Sequence, residues 1–165
     1  MEKLEIIKKK IVSKEELTRK LAVWRFFSKK IVWTNGCFDI LHLGHIDYLS
    51  KSKDQGDVLI VGVNSDMSVR KIKKPGRPIT DEHSRSTIIA ALNFVDAVLL
   101  FDEETPFEQI KFIQPDVLVK GSDYKAEEIV GYDIVKAKEG KIVTIDFLPG
   151  YSTTAIEEKI KRSYQ

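Results

Sequence analysis

A chain of 165 residues with 42% hydrophobic side chains is long enough for one buried sheet and one core. Its 27 basic and 25 acidic residues leave a net charge of +2, which gives no general argument for nucleic acid or a membrane surface as partner. The single cysteine, Cys37, excludes an intrachain disulfide and a cysteine metal cage, no apolar stretch approaches membrane-spanning length, and the N-terminus MEKLEIIKKKIVSKEEL has no signal-like apolar run, so a cytoplasmic protein is expected.

Along the chain, short β-type runs alternate with helical stretches. Ser13 and Glu16 predict a capping box that opens a helix through about Phe27. Trp24, with Phe26 or Phe27, is expected to pack this helix onto the rest, so residues 1–28 read as a helical extension of one domain over 1–165. Residues 31–34 and 58–63 predict buried strands, with a turn at 35–39 and a helix over 43–52 between them. Residues 71–78 read as a basic loop punctuated by Pro and Gly.

Thr80 or Asp81 is expected to cap a helix to about Asn93, and 97–101 is a third strand. Thr105 reads as an N-cap with Pro106 at the first helical position. A fourth strand is expected at 116–120, a helix at 126–138 ending near Gly140, and a fifth strand at 141–147. Ser152 caps a last helix to about Arg162. Alternation of this kind, with near-continuous apolar strands, implies an α/β fold with a parallel sheet covered on both faces. Ligands of such folds bind at the carboxyl ends of the strands, at the switch point.

Four segments fall at such ends. In the first, Gly36 follows a strand and permits close backbone approach to a phosphate. His42 and His45 share one helix face, and Gly44 keeps that face low. Two imidazoles there suit an α-phosphate in its transition state. A lone H-x-G-H reads equally well as a capping pair, and its position after a strand and a glycine turn favours the functional reading. Zinc is a poor fit, with three histidines and no second cysteine.

The second segment, Lys71-Ile72-Lys73-Lys74-Pro75-Gly76-Arg77-Pro78 with Arg85 beyond it, suits a lid over β- and γ-phosphates, although a charge run alone is more often a solvated loop. Arg85 in a first helical turn opposes the dipole, which hints at a bound anion. The third, Lys120-Gly121-Ser122-Asp123-Tyr124, offers contacts to ribose, base or acceptor, or is an ordinary turn. The fourth places Ser152, Thr153 and Thr154 after Gly150 at a helix N-terminus, which is either an anion site or a plain cap. Cys37 has no base to activate it and reads as a packed residue.

In this order and spacing the segments resemble the cytidylyltransferase-like family of H-x-G-H nucleotidyltransferases. Asn35-Gly36-Cys37-Phe38-Asp39 with His42-Leu43-Gly44-His45 is similar to its first signature, and Gly150-Tyr151-Ser152-Thr153-Thr154 to its G-x-S-T-T signature. Residues 61–66, 76–79, 102–106 and 118–125 resemble the adenylyltransferase domain of the ADP-heptose synthases. Two positions depart from that pattern: Lys74 and Ser122 stand where glycines are common.

The resemblance implies a Rossmann-like, doubly wound, five-stranded parallel sheet of the nucleotidylyltransferase type. It implies transfer of AMP from ATP to D-glycero-β-D-manno-heptose 1-phosphate for the lipopolysaccharide inner core. His42, His45 and Lys73 would be catalytic. Asn35, Gly36, Cys37, Phe38, Asp39, Gly44, Arg77, Arg85, Lys120, Gly121, Asp123, Tyr124, Gly150, Ser152, Thr153 and Thr154 would line the nucleotide and phosphate site. Mg²⁺ would enter mainly through the ATP phosphates, with Asp39 orienting a basic group or a metal-bound water. A separate heptose kinase would supply the acceptor, and a homodimer is expected. Two rivals are a cytidylyltransferase acting on glycerol 3-phosphate or a similar alcohol phosphate, and a nucleotide-binding regulatory module without turnover.

Overall fold

A computed structural model describes residues 2–122 and 125–164, so Asp123 and Tyr124 lie outside the described residues. Five strands form one sheet: β1 (Ile31–Gly36), β2 (Val58–Asn64), β3 (Ala97–Phe101), β4 (Val117–Gly121) and β5 (Lys141–Ile145). All pairings are parallel and the order is β3-β2-β1-β4-β5. After β1 the chain builds outward through β2 and β3, then returns to place β4 on the other side of β1. The gap between the ends of β1 and β4 is therefore the switch point.

Strand residues alternate between two apolar layers, because successive side chains point to opposite faces. On one face Ile31, Trp33, Ile60, Leu99 and Leu118 pack with Leu17 and Leu21 of α2 (Lys14–Phe26) and Ile110 and Ile113 of α6 (Phe107–Ile113). On the other, Val32, Val61, Val63, Val98 and Val119 pack with Tyr48 and Leu49 of α3 (Leu43–Lys53) and Ile89 and Ala90 of α5 (Glu82–Ala91). Burial on both faces is why β2 reads as an unbroken apolar run.

The capping box at Ser13 and Glu16 forms as expected, and Ser152 caps α8 (Thr153–Ser163). Of the aromatics on α2, Trp24 packs against the core, whereas Phe26 and Phe27 are 82% and 65% exposed, contrary to expectation. Two short helices were not anticipated: α1 (Lys3–Lys8) and α4 (Asp66–Ile72), the latter capped by the Ser65 hydroxyl. Pro106 takes the N-cap position rather than the first helical one. The expected helix over 126–138 is broken. A 3₁₀ turn at Ala126–Glu128 is followed by Gly131 at φ 90°, and then by α7 (Tyr132–Lys136). Only glycine holds that φ without strain, and a Cβ at Gly131 would lie 2.7 Å from Ile110 Cδ1.

Candidate active site

Residues 37–42 connect the end of β1 to α3. Phe38 and Ile40 both take left-handed φ, 51° and 50°, at a cost of roughly 1–2 kcal/mol each. The conformation is held by Asp39 between them. Its carboxylate is 8% exposed and accepts from four donors: Arg77 Nη1 at 2.7 Å, the amides of Ile79 and Thr80 at 2.9 and 3.0 Å, and the Thr80 hydroxyl at 2.9 Å. Burial alone would raise this carboxyl, but the bonds from Thr80, Ile79 and Arg77 outweigh it and hold the pKa at about 2. Asp39 thus holds Arg77 and fastens the basic loop to the H-x-G-H segment.

His42 is the N-cap of α3, in extended conformation and without a side-chain cap bond, and His45 lies on the first turn. Their rings stack with centroids 3.8 Å apart, and Phe38 meets His45 edge-on at 5.5 Å. Both Nδ1 atoms are buried with no hydrogen-bond partner. Burial, then the charge of His42, pushes His45 down to about 4, and burial lowers His42. At neutral pH this is a pair of uncharged imidazoles with unmet bonding capacity, an arrangement that costs stability unless something binds there. Gly44 makes room for it. A Cβ at Gly44 would lie 3.0 Å from His42 Nδ1 and 3.2 Å from Tyr151 Cβ, so the last loop packs directly on the H-x-G-H helix. The Phe38 ring covers Gly36 in the same way, 3.1 Å from where a Cβ would stand.

The last helix opens at this place. Gly150 takes φ 82°, the Ser152 hydroxyl accepts from the Ala155 amide, and the Thr153 hydroxyl donates to the Asp39 carbonyl at 2.9 Å. Ser152 is therefore a true cap, and Thr153 ties α8 to the H-x-G-H loop. Thr154 is exposed on the first turn. On the neighbouring strands, Lys120 Nζ donates to Asn35 Oδ1 at 2.6 Å, and Gly121 is buried at the end of β4. Lys73, Arg85 and Lys120 all act electrostatically on the Cys37 thiol, which burial nevertheless raises. These cations thus surround the end of β1, and Cys37 is no activated nucleophile.

The expectation that Arg85 grips a phosphate is corrected. Its side chain is 1% exposed, and four donor bonds are already made: to the carbonyls of Thr80, Cys37 and Asn64, and to Asp66 Oδ1 at 2.7 Å. Arg85 pins α5 beneath the β1 and β2 ends, and its charge is answered by Asp66 rather than by an anion. Arg77 is also engaged, by Asp39 on Nη1 and by Glu157 of α8 on Nη2. Lys73 ends α4 and is exposed. Sequence reasoning missed Glu157 and Thr80. Glu157 lies 80 positions from its partner, and nothing local marks it.

The family model described as cytidylyltransferase-like matches residues 33–159. The bifunctional protein HldE of Campylobacter jejuni subsp. doylei is 56% identical over 93% of this chain, and that of Wolinella succinogenes 50% over 93%. The chain spans about a third, 32%, of the length of these relatives. Among solved structures, a lipopolysaccharide core biosynthesis protein from Thermoplasma volcanium is 34% identical, covers 73% of this chain and 97% of its own, and superposes with a TM-score of 0.60. A pantoate-beta-alanine ligase from Francisella tularensis, 15% identical, covers 94% of this chain and 78% of its own with a TM-score of 0.54, and shares the fold alone.

Proposed function

The chain belongs to the cytidylyltransferase-like family, and from that premise we propose that it transfers AMP from ATP to D-glycero-β-D-manno-heptose 1-phosphate, giving ADP-heptose and pyrophosphate. The observation that carries the reaction class is the stacked His42–His45 pair, uncharged and with unmet nitrogens, beside the N-terminus of α8. The acceptor is inferred from the likeness to the HldE relatives.

In this reading the acceptor phosphate oxygen attacks the α-phosphorus of ATP in line. The bond from that phosphorus to the β-bridging oxygen breaks, and its electron pair leaves with pyrophosphate. A phosphate monoester is already ionised at pH 7, so no strong general base is needed. The imidazoles donate hydrogen bonds to the non-bridging oxygens as charge builds there. Lys73 and Arg77 from the basic loop, Lys120, and the amides at Ser152, Thr153 and Thr154 hold the phosphates. Gly36 and Phe38 form the floor.

Asp39 is saturated by four donors, and among the described residues there is no group of three or more His, Cys, Asp or Glu placed to hold an ion. In this reading magnesium enters with ATP, held mainly by the phosphates. A cytoplasmic homodimer, fed by a heptose kinase, completes the proposal; no helix among the described residues is long and apolar enough to cross a membrane.

The test is pyrophosphate release with ATP or CTP against heptose 1-phosphate or glycerol 3-phosphate, with products read by mass spectrometry. ATP with heptose 1-phosphate is expected to give ADP-heptose at the highest kcat/KM. Preference for CTP and glycerol 3-phosphate would move the assignment to the alcohol-phosphate enzymes. Nucleotide binding without pyrophosphate from any pair would make the chain a regulatory module.

A further inference from the structure

Among the described residues, Arg77 is the one loop cation held by two carboxylates from different parts of the fold. Asp39 of the H-x-G-H loop takes Nη1, and Glu157 on α8 takes Nη2. The two carboxylates differ in what else they do. Asp39 is bonded to the backbone of Ile79 and Thr80 and to the Thr80 hydroxyl, so it is part of the loop's scaffold. Glu157 is 27% exposed, and Arg77 is its one ion-pair partner among the described residues. It stands one turn beyond Thr153, the residue that ties α8 to the Asp39 carbonyl.

In the proposed reading, a triphosphate at the α8 N-terminus would lie beside this pair, one turn from Glu157. One positive charge there faces two negative ones, so the cluster of Asp39, Arg77 and Glu157 carries net −1 and repels a polyanion. Asp39 is fixed in place by the Ile79 and Thr80 bonds and stays beside Arg77 Nη1. Glu157, which is partly exposed and has no such second set of bonds among the described residues, is free to swing away. We propose that Glu157 sets the enzyme's affinity for nucleotide by competing with the β- and γ-phosphates for Arg77. When ATP binds, the phosphates take the Nη2 edge; when pyrophosphate leaves, Glu157 takes it back.

This inference rests on the nucleotidyltransferase reading, and the experiment separates the two. ATP binding by calorimetry and pyrophosphate-release kinetics are measured on the full chain and on Glu157→Gln, Glu157→Asp and Glu158→Gln. A glutamine keeps the shape and one hydrogen bond but removes the charge. Glu157→Gln is expected to tighten the Kd for ATP and the inhibition constant for pyrophosphate together, by about 3- to 10-fold at low salt and less at high salt. Glu157→Asp, which draws the charge back by one methylene, falls between, and serves as the deciding variant if the glutamine form does not fold. Glu158→Gln removes the same charge one residue on, where the partner is Arg162 at 3.9 Å, and leaves the Kd unchanged. Unchanged or weaker ATP binding in both Glu157 variants, or equal tightening in Glu158→Gln, would overturn the proposal. A native chain that binds no ATP and releases no pyrophosphate would instead fail the underlying reading.

Discussion

His42 and His45 are held where neither ring is well solvated, so each resists protonation. An unfolded chain has no such resistance, and its histidines titrate near 6.5. Between pH 6.5 and about 4 the unfolded state therefore binds more protons than the native one, and stability falls as pH falls through that window. His45 contributes up to about 3 kcal/mol of this loss. Asp39 acts lower down: its stabilisation is complete above the ordinary carboxyl range and disappears as pH drops toward 2. Denaturant titrations from pH 7 to 4 are expected to show a declining free energy of unfolding, with a shallower decline in His45→Gln. An identical slope in both proteins would mean that His45 is solvated.

At the same residue, His45→Ala removes one donor from the developing charge. It is expected to lower kcat by ~100- to 1,000-fold while the Kd for ATP changes much less; equal loss in both would make His45 a binding residue only. The pairing of the His42 and His45 rings was legible in the sequence because residues three apart at a helix start share one face. Arg85 was not. A buried arginine serving carbonyls and a phosphate-gripping arginine carry the same letter, and only four internal bonds separate them.

The strands were legible because a parallel strand covered on both faces must be apolar at every position, and 58–63 and 97–101 are. The helices with polar caps were also legible: Ser13, Asp81 and Ser152 each accept from the amide three residues on. Short elements were not. Helix α4 has seven residues, and its basic second half merges with the loop that follows. The break at Gly131 was hidden for another reason, since glycine inside a helical pattern signals a weak helix as readily as a turn. Gly131→Ala combines a disallowed φ with a Cβ pressed on Ile110, and is expected to destabilise the fold by about 1–3 kcal/mol in equilibrium unfolding. A neutral substitution would show that the segment around α7 can shift to accept a side chain.

Across the whole molecule, the site is a product of topology. At the switch between β1 and β4 the H-x-G-H loop, the basic loop and the last helix are bound together by Asp39, Arg77 and Thr153, the Thr153 to Asp39 bond spanning 114 residues. The segments themselves could be picked out in the chain; the contacts that join them could not, because long-range ion pairs leave no periodic trace.

The most direct measurement is a crystal structure of the protein with a non-hydrolysable ATP analogue. An α-phosphate oxygen within about 3.2 Å of both imidazoles, with the β- and γ-phosphates between Arg77 and the first turn of α8, is the predicted result. A nucleotide bound elsewhere, with both imidazoles still unpartnered, would contradict the account.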